Sequence, residues 1–542
     1  MKSMNPIFSL KNFRSFGEEG ADFELAPITV LTGCNSAGKS SLVKALMLLS
    51  PSIEGVSYTE NLQVSSKDLC LGGYKNVAHK DGKIIMSYKV WSAGLQETLV
   101  VTRKYCAKRN DELNDGALYH LTVGKLDGTL IYQVGPGWVN GYLEQDVPHD
   151  DSIREEFNRF YAVGCYMRVM ELLPMLERLE KNKSIDNESP KVKRSEEALR
   201  IVKEKLKSAG VDESDAALLW KEFDHDAFNA VIKAMDTNLG YGEKLLVTVP
   251  DLIKNPDEDW EMDLMLKAFI DYIVKDACSP SFVQQPVYIN SASAQIERLY
   301  TVGNENKMCR ALRELNRRII QYHDNLDAIA VGPYIIHKPG SFLDKWLDEF
   351  KIGISIKVKG TDQGLGLMAY LTNYKNEERL LADEGYGITQ LVALLLQIDN
   401  CIPIALGCDE DAYFKEKKKV YYYKPKTICV EEPEVHLHPK YQSMLAEMFV
   451  EAYQKYNIHF IIETHSEYLI RKLQVMVADK ENVLSPNDVS LNYVEKDKSG
   501  VSHNRQIKIQ EDGGLSDSFG SGFYDEADSL ALDLFRKKPI LS

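Results

Sequence analysis

The spacing of apolar positions changes twice along the chain. Over residues 5–32 apolar and polar positions alternate: Ile7, Ser9, Leu10, Asn12 and Phe13, then Phe23, Leu25, Ile28 and Val30. This predicts two or three strands building one sheet around the turn that follows. Residues 60–134 hold further strand-like runs, 83–90 and 97–102, separated by charged and Asp/Gly-bearing turns. They read as an antiparallel β subdomain. Beyond residue 150, Leu172, Met175, Leu176 and Leu179 fall at helical spacing, as do Leu199, Val202 and Leu206, with a polar breaker stretch at 181–190 between them. Strand character returns at 286–290. Helices are expected around 309–322 and 342–350, and a strand at 352–358. The pattern divides the chain into an N-terminal part (1–150), a mainly helical insertion (151–280) and a C-terminal part (281–542).

The sharpest local signal is Gly33-Cys34-Asn35-Ser36-Ala37-Gly38-Lys39-Ser40-Ser41. It fits G-x-x-x-x-G-K-[ST], with an apolar β-branched run before it and a helix-forming run after it. Gly33 and Gly38 permit a tight turn in which backbone N–H groups of Asn35, Ser36 and Ala37 converge on an anion. The helix that follows presents its positive end to the same anion. Lys39 is placed to reach β- and γ-phosphates, and the Ser40 hydroxyl to ligate Mg²⁺. Cys34 is a small residue in this loop, and a thiolate there is open to oxidation.

Three later stretches carry candidate chemistry. Asp383-Glu384-Gly385-Tyr386-Gly387-Ile388-Thr389-Gln390 opens onto a strongly apolar helix and is a candidate second helix end for phosphate. Thr427-Ile428-Cys429-Val430-Glu431-Glu432-Pro433-Glu434 is an apolar strand delivering adjacent carboxylates at its C-terminal end, where ligands sit in parallel sheets. One carboxylate can serve a Mg²⁺ shell and the next can orient water, since alternate strand residues face opposite ways. His436 and His438 follow on a tight loop with no further ligand cluster. His459-Phe460-Ile461-Ile462-Glu463-Thr464-His465-Ser466 is another apolar strand, ending in a histidine placed to contact a γ-phosphate.

Charge alters the picture only locally. The 542-residue chain carries a formal charge of −15 and is 44% hydrophobic. That balance argues against a surface that coats nucleic acid, which depends on clustered cations. Lys191, Lys193, Arg194, Lys203, Lys205 and Lys207 make part of the insertion basic: a solvated helix face, or a site for nucleic acid or an acidic partner. In 408–426, lysines interleave with tyrosines, a pattern that suits single-stranded nucleic acid and equally an exposed hairpin with an aromatic inner face. The nine cysteines lack metal-ligand spacing. No apolar run reaches the roughly eighteen residues of a membrane span, and no signal-peptide core opens the chain. A reduced, cytoplasmic protein without a membrane partner is expected.

Roughly four hundred residues separate the Gly-rich loop from Glu431, yet both must meet around one Mg-nucleotide. A long segment is therefore inserted into a single nucleotide-binding head. The loop at 33–41, the 385–390 turn, Glu431-Glu432-Pro433-Glu434, His438-Pro439 and Thr464-His465-Ser466 together resemble the ABC-type ATPases of the RecF/SMC and OLD-like group. Leu10-Lys11-Asn12-Phe13-Arg14-Ser15-Phe16 is similar to the start of those heads. In layout the chain is closest to OLD-like ATPases of bacterial antiviral systems, of the Septu type also found with retrons. The resemblance implies an α/β fold: an ABC-type P-loop head with a β subdomain and a large, mainly helical insertion. It implies ATP and Mg²⁺ as cofactors, and hydrolysis to ADP and phosphate at a slow or partner-regulated rate. It also implies a homodimer, or a higher oligomer, with two ATPs bridged between heads. Gly385, Gly387, Thr389 and Gln390 would reach the γ-phosphate of the opposite subunit. Thr389 stands where the family normally has Ser. Glu431, where many relatives have Asp, would stand with Ser40 near Mg²⁺. Glu432 would be the catalytic carboxylate and His465 the switch histidine. A Q-loop glutamine is also expected, with Gln63 the candidate. Relatives of this layout act with a separate HNH-type nuclease or within a retron reverse transcriptase and nucleic acid complex. The stretch after Ser466 is too short for a TOPRIM domain, and no D-x-D site is found, which favours a partner nuclease. A RecF-like DNA repair ATPase and an OLD-like nuclease are the alternatives.

Overall fold

The structure is a computed structural model. It describes residues 5–50, 62–107, 115–134, 155–170, 190–222, 269–407, 426–479 and 484–520, with short gaps in some of these ranges, and isolated positions up to 533. The described residues fall into two compact units. One lies within 87–104 and 119–280, the other within 5–86, 105–118 and 281–542.

In the first unit, helices run over Pro190–Ser208 and Glu213–Glu222. Phe160 and Phe157 pack on Phe269 with ring centroids 4.9 and 5.3 Å apart. Buried Arg103 donates to the Tyr88 hydroxyl and to the Cys278 carbonyl. Lys203 meets Glu213 at 2.8 Å, and the Lys205 ammonium lies 5.4 Å from the centre of the Tyr161 ring. Val202 and Leu206 are buried. The side chains of Lys191, Lys193 and Arg194 lie outside the described residues.

The second unit is built on a six-stranded sheet. Its strands are β1 (Ile28–Gly33), β2 (Val287–Ile289), β3 (Lys426–Glu431), β4 (Ile458–Glu463), β5 (Val489–Lys496) and β6 (Ser502–Ile507), in the order β6-β5-β1-β4-β3-β2. The neighbours from β5 to β2 are parallel, and only β5 and β6 pair antiparallel. Every residue of β1 is buried, as expected for the middle of a covered parallel sheet.

The expectation that all strands of 5–32 build this sheet is corrected. Ile7–Lys11 and Ala21–Glu24 pair antiparallel, Ile7 opposite Glu24, and are not part of that sheet. The burial of Ile7–Lys11 alternates, whereas that of Ile28–Gly33 does not. A strand with one solvated face suits an antiparallel sheet and would leave polar groups buried in the parallel one.

Six helices complete the part of this unit that bears on the site: α1 (Lys39–Leu49), α2 (Lys307–Ile329), α3 (Ser341–Glu349), α4 (Tyr386–Cys401), α5 (Pro439–Tyr456) and α6 (Glu467–Ala478). From Leu391 to Leu396 every residue of α4 is buried, so it runs through the core rather than over it. Its one fully buried charge, Asp399, accepts from the Gly340 and Phe342 N–H groups at 2.7 and 3.2 Å. It thereby caps α3, where a carboxylate also opposes the helix dipole. Arg318 of α2 lies 3.9 Å from the same carboxylate and donates to the Asp399 and Ile402 carbonyls. This network ties α2, α3 and α4 together. Burial, with Asp399 nearby, pushes the Asp344 carboxyl up to about 6. Among the described residues no helix is long and apolar enough to cross a membrane.

Candidate functional site

The parallel register brings the C-terminal ends of β1, β4 and β3 level. Glu463 pairs with Leu31 on one side and with Glu431 on the other, and the Thr464 N–H donates to the Leu31 carbonyl at 3.0 Å. Residues far apart in sequence thus share one edge of the sheet, where ligands of parallel α/β folds sit.

The Gly-rich loop joins β1 to α1. Gly33 has φ 130° beside Val494 of β5, and a Cβ there would lie 2.0 Å from the Val494 carbonyl oxygen. Gly38 has φ 106°. The side chains of Asn35 and Ser36 are exposed, while Ala37 and Ser41 are buried beneath the loop. Ser502 of β6 donates to the Ala37 carbonyl from below. Lys39 folds over the loop and donates from Nζ to the Gly33 and Cys34 carbonyls, at 3.2 and 2.9 Å. Burial pulls its pKa down, and Glu463, Glu432, Cys34 and Glu434 oppose that shift. A half-desolvated ammonium among loop carbonyls suits a bound anion, which would relieve the desolvation cost. Exposed Cys34 has its sulfur 4.0 Å from the Tyr493 hydroxyl.

The carboxylates separate by environment. Glu431 ends β3 and is hydrogen-bonded to Tyr288 through its side chain, while its Oε1 is buried without a partner among the described residues. Glu432 turns to φ 47°, and its N–H donates to the Glu463 carbonyl at 2.8 Å. That turn leaves the Glu432 carboxylate half exposed, 4.0 Å from His465 Nε2. Burial and Lys39 lower the His465 pKa against the pull of Glu432, which favours the neutral ring. Buried Glu434 accepts the His465 N–H at 2.6 Å and anchors the 464–466 loop; burial pushes its own carboxyl up. Ser466 then caps α6 by accepting from the Leu469 N–H at 3.1 Å.

Glu463 is the residue that sequence reasoning missed. The Ser40 hydroxyl donates to its Oε1 at 3.1 Å, and its Oε2 is buried without a partner among the described residues. Burial and Glu431 raise its pKa, opposed by the Ser40 hydrogen bond and Lys39. The available signal was a charged residue closing an otherwise apolar strand, directly before Thr464-His465-Ser466.

The start of α4 joins the same place within one chain. Gly385 precedes the helix with φ −63°, and a Cβ there would meet nothing within 4 Å. A Cβ on Gly387 would lie 2.7 Å from the His436 carbonyl oxygen, so glycine lets these segments touch. The Thr389 hydroxyl donates back to the Tyr386 carbonyl at 2.8 Å, which commits it to its own helix turn. Gln390 Nε2 donates to the Glu432 carbonyl at 3.2 Å. A pocket of about 250 Å³ is lined by Ser40, Tyr386, Gln390, Glu431, Glu432 and Glu463, among others. Gln390 is therefore the glutamine of the pocket; Gln63 is exposed beside the bridge of Leu62 to Gly116. His438 caps α5, its Nδ1 accepting from the Lys440 N–H at 3.3 Å, and Pro439 opens that helix. Among the described residues, no three His, Cys, Asp or Glu side chains form an all-protein metal cluster. Residues 408–425, with most of the lysine and tyrosine run, lie outside the described residues.

Two protein families match parts of the chain: the AAA ATPase domain (AAA_15) over residues 252–470, and a protein of unknown function (DUF3696) over residues 484–534. No curated protein matches the sequence. Similar solved structures are distant. One is the SmcHead bound to the C-winged helix domain of ScpA, at 10% identity and TM-score 0.35, covering 93% of this chain and 98% of that one. Another is the SMC head domain from Thermotoga maritima, at 11% identity and TM-score 0.32, covering 94% and 100%. A third is an Smc head domain with a coiled coil and joint derived from Pyrococcus yayanosii, at 14% identity and TM-score 0.34, covering 94% and 98%. The segment that carries the 385–390 turn, Glu431, Glu432, Glu463 and His465 is thus similar to an AAA ATPase domain.

Proposed function

We propose that this chain is an ABC-type ATPase that binds ATP with Mg²⁺ and hydrolyses it to ADP and phosphate. The supporting observation is convergence: Lys39 and Ser40 lie at one sheet edge with Glu431, Glu432 and His465, although the chain between them runs for roughly four hundred residues. The loop N–H groups of residues 35–41 and Lys39 would hold the phosphates. Ser40 and Glu431 would hold Mg²⁺, which neutralises phosphate charge when bound. The donor set fits that ion: a hydroxyl and a carboxylate oxygen that is buried without a protein partner. Glu432, half exposed at the pocket and free of a tight ion pair, orients water or accepts its proton. His465 stands beside it, 4.0 Å away, as a γ-phosphate contact.

The second part of the proposal concerns pairing of heads. Gly385 has open space around it and is free to approach a nucleotide held by a second copy, with Gly387 and Thr389 shaping that turn. Gln390 is held in its own pocket. Pairing on ATP would then control an HNH-type partner nuclease in a bacterial antiviral system, as the resemblance in layout to OLD-like ATPases of such systems suggests.

The test is Glu432→Gln. Hydrolysis should fall on the order of 10²–10⁴-fold while ATP affinity is kept, and the ATP-bound variant should accumulate as a pair in sedimentation. Lys39→Ala should abolish ATP binding. Normal turnover by Glu432→Gln would remove Glu432 from its role. Co-purification with a small nuclease supports the partner reading; metal-dependent DNA cleavage by the chain alone overturns it.

A further inference from the structure

We propose that Glu463 completes the cation site, as a second carboxylate beside Glu431. The inference deepens the ATPase reading and rests on the same pocket. Glu463 is 6% exposed, and burying a carboxylate with a free oxygen is costly unless something meets it. Its two oxygens have different surroundings. Oε1 accepts the Ser40 hydroxyl proton at 3.1 Å, which turns the Ser40 lone pairs away from Glu463 and frees them to bind an ion. Oε2 has no partner among the described residues, and Oε1 of Glu431 has none either. The two glutamates are register partners on adjacent parallel strands, and both line the pocket with Ser40.

Two unpartnered carboxylate oxygens and a pre-oriented hydroxyl on one pocket wall make a hard-oxygen site for a divalent cation. One carboxylate and one hydroxyl depend on nucleotide phosphates to hold Mg²⁺. With Glu463 added, the site takes a divalent ion before nucleotide arrives. Glu463 is therefore both a positioning residue for Ser40 and a ligand in its own right.

The experiment is a Mn²⁺ titration of the full chain without nucleotide, read by electron paramagnetic resonance. The unmodified chain should bind one tight Mn²⁺. Glu463→Gln keeps shape and an acceptor for Ser40 but removes the charge, and should weaken Mn²⁺ about 10-fold or more, as should Glu431→Gln. Glu463→Asp, which keeps the charge on a shorter stem, should fall between. Circular dichroism and urea midpoints establish that each variant is folded. Absence of Mn²⁺ binding by the unmodified chain, or an unchanged titration in folded Glu463→Gln, overturns the proposal. ATP binding with Mg²⁺ present, compared between the unmodified chain and Lys39→Ala, separates the two readings. Loss of Lys39-dependent ATP binding with the Mn²⁺ pattern intact would sink the ATPase reading alone. Intact ATP binding with an unchanged Glu463→Gln titration would sink the cation-site proposal alone.

Discussion

Gln390 donates its side-chain amide to the Glu432 carbonyl at 3.2 Å, linking the first turn of α4 to the residue after β3. Glu432 sits at φ 47°, a region that costs a non-glycine residue energy and persists only when its surroundings hold it. The Glu463 carbonyl holds the Glu432 N–H, and Gln390 holds its C=O. The peptide groups on both sides of the Glu432 Cα are therefore fixed, and with them the direction in which its side chain leaves the backbone.

Gln390→Ala should therefore act on turnover rather than on binding. Misplacing a reacting group by about 1 Å costs roughly 10²-fold, so kcat should fall on the order of 10–100-fold with ATP affinity little changed. Steady-state phosphate release and direct nucleotide titration read the two quantities apart. An unchanged kcat would show that the Glu432 turn holds itself.

Gly33 and Gly385 should respond in opposite ways. At Gly33 a methyl group meets the Val494 carbonyl oxygen at 2.0 Å with φ 130°, so Gly33→Ala must push β5 from β1. The expected cost is about 3 kcal/mol or more. Gly385 has an ordinary φ and no neighbour, and serine is a good residue ahead of a helix, so Gly385→Ser should change stability by less than about 0.5 kcal/mol. Urea midpoints compare the two. If ATP hydrolysis falls in a fully stable Gly385→Ser, the open space at Gly385 belongs to a ligand.

His459 makes the fold acid-sensitive. Burial lowers its pKa to about 4, and its ring sits edge-on to Tyr453, centroids 5.9 Å apart. The folded state therefore resists a proton that the unfolded chain accepts near pH 6.5. Stability is full above that pH and is lost as pH falls towards 4, by about 3 kcal/mol in all and about 2 kcal/mol at pH 5. Urea unfolding at pH 7.5 and 5.0 should show that His459→Phe removes this part of the pH dependence. An equal pH dependence in both proteins would assign the acid sensitivity elsewhere.

The local chemistry was legible in the sequence because short-range rules govern it. A β-branched run, two glycines and a helix former make a strand, a turn and a helix wherever the chain places them. The loop at 33–41 is built that way, and so are Pro439 at the head of α5 and Ser466 at the head of α6. The alternation of Ile7–Lys11 identified a strand correctly and its sheet wrongly. Period reports how many faces of a strand are buried; it does not name the neighbour.

Neighbours were decided by the tertiary structure. The partner of Ser40 is 423 residues away, and only the level register of β1, β4 and β3 brings Glu463 to it. Gln390 rather than Gln63 reached the pocket because α4 runs through the core and starts beside the Glu432 turn. Thr389 kept its hydroxyl for its own helix, since that side of the turn is buried. Residue type determines what a side chain can do. Which groups it meets depends on strand pairing and helix packing summed over the whole unit, and no window of neighbouring residues contains that sum.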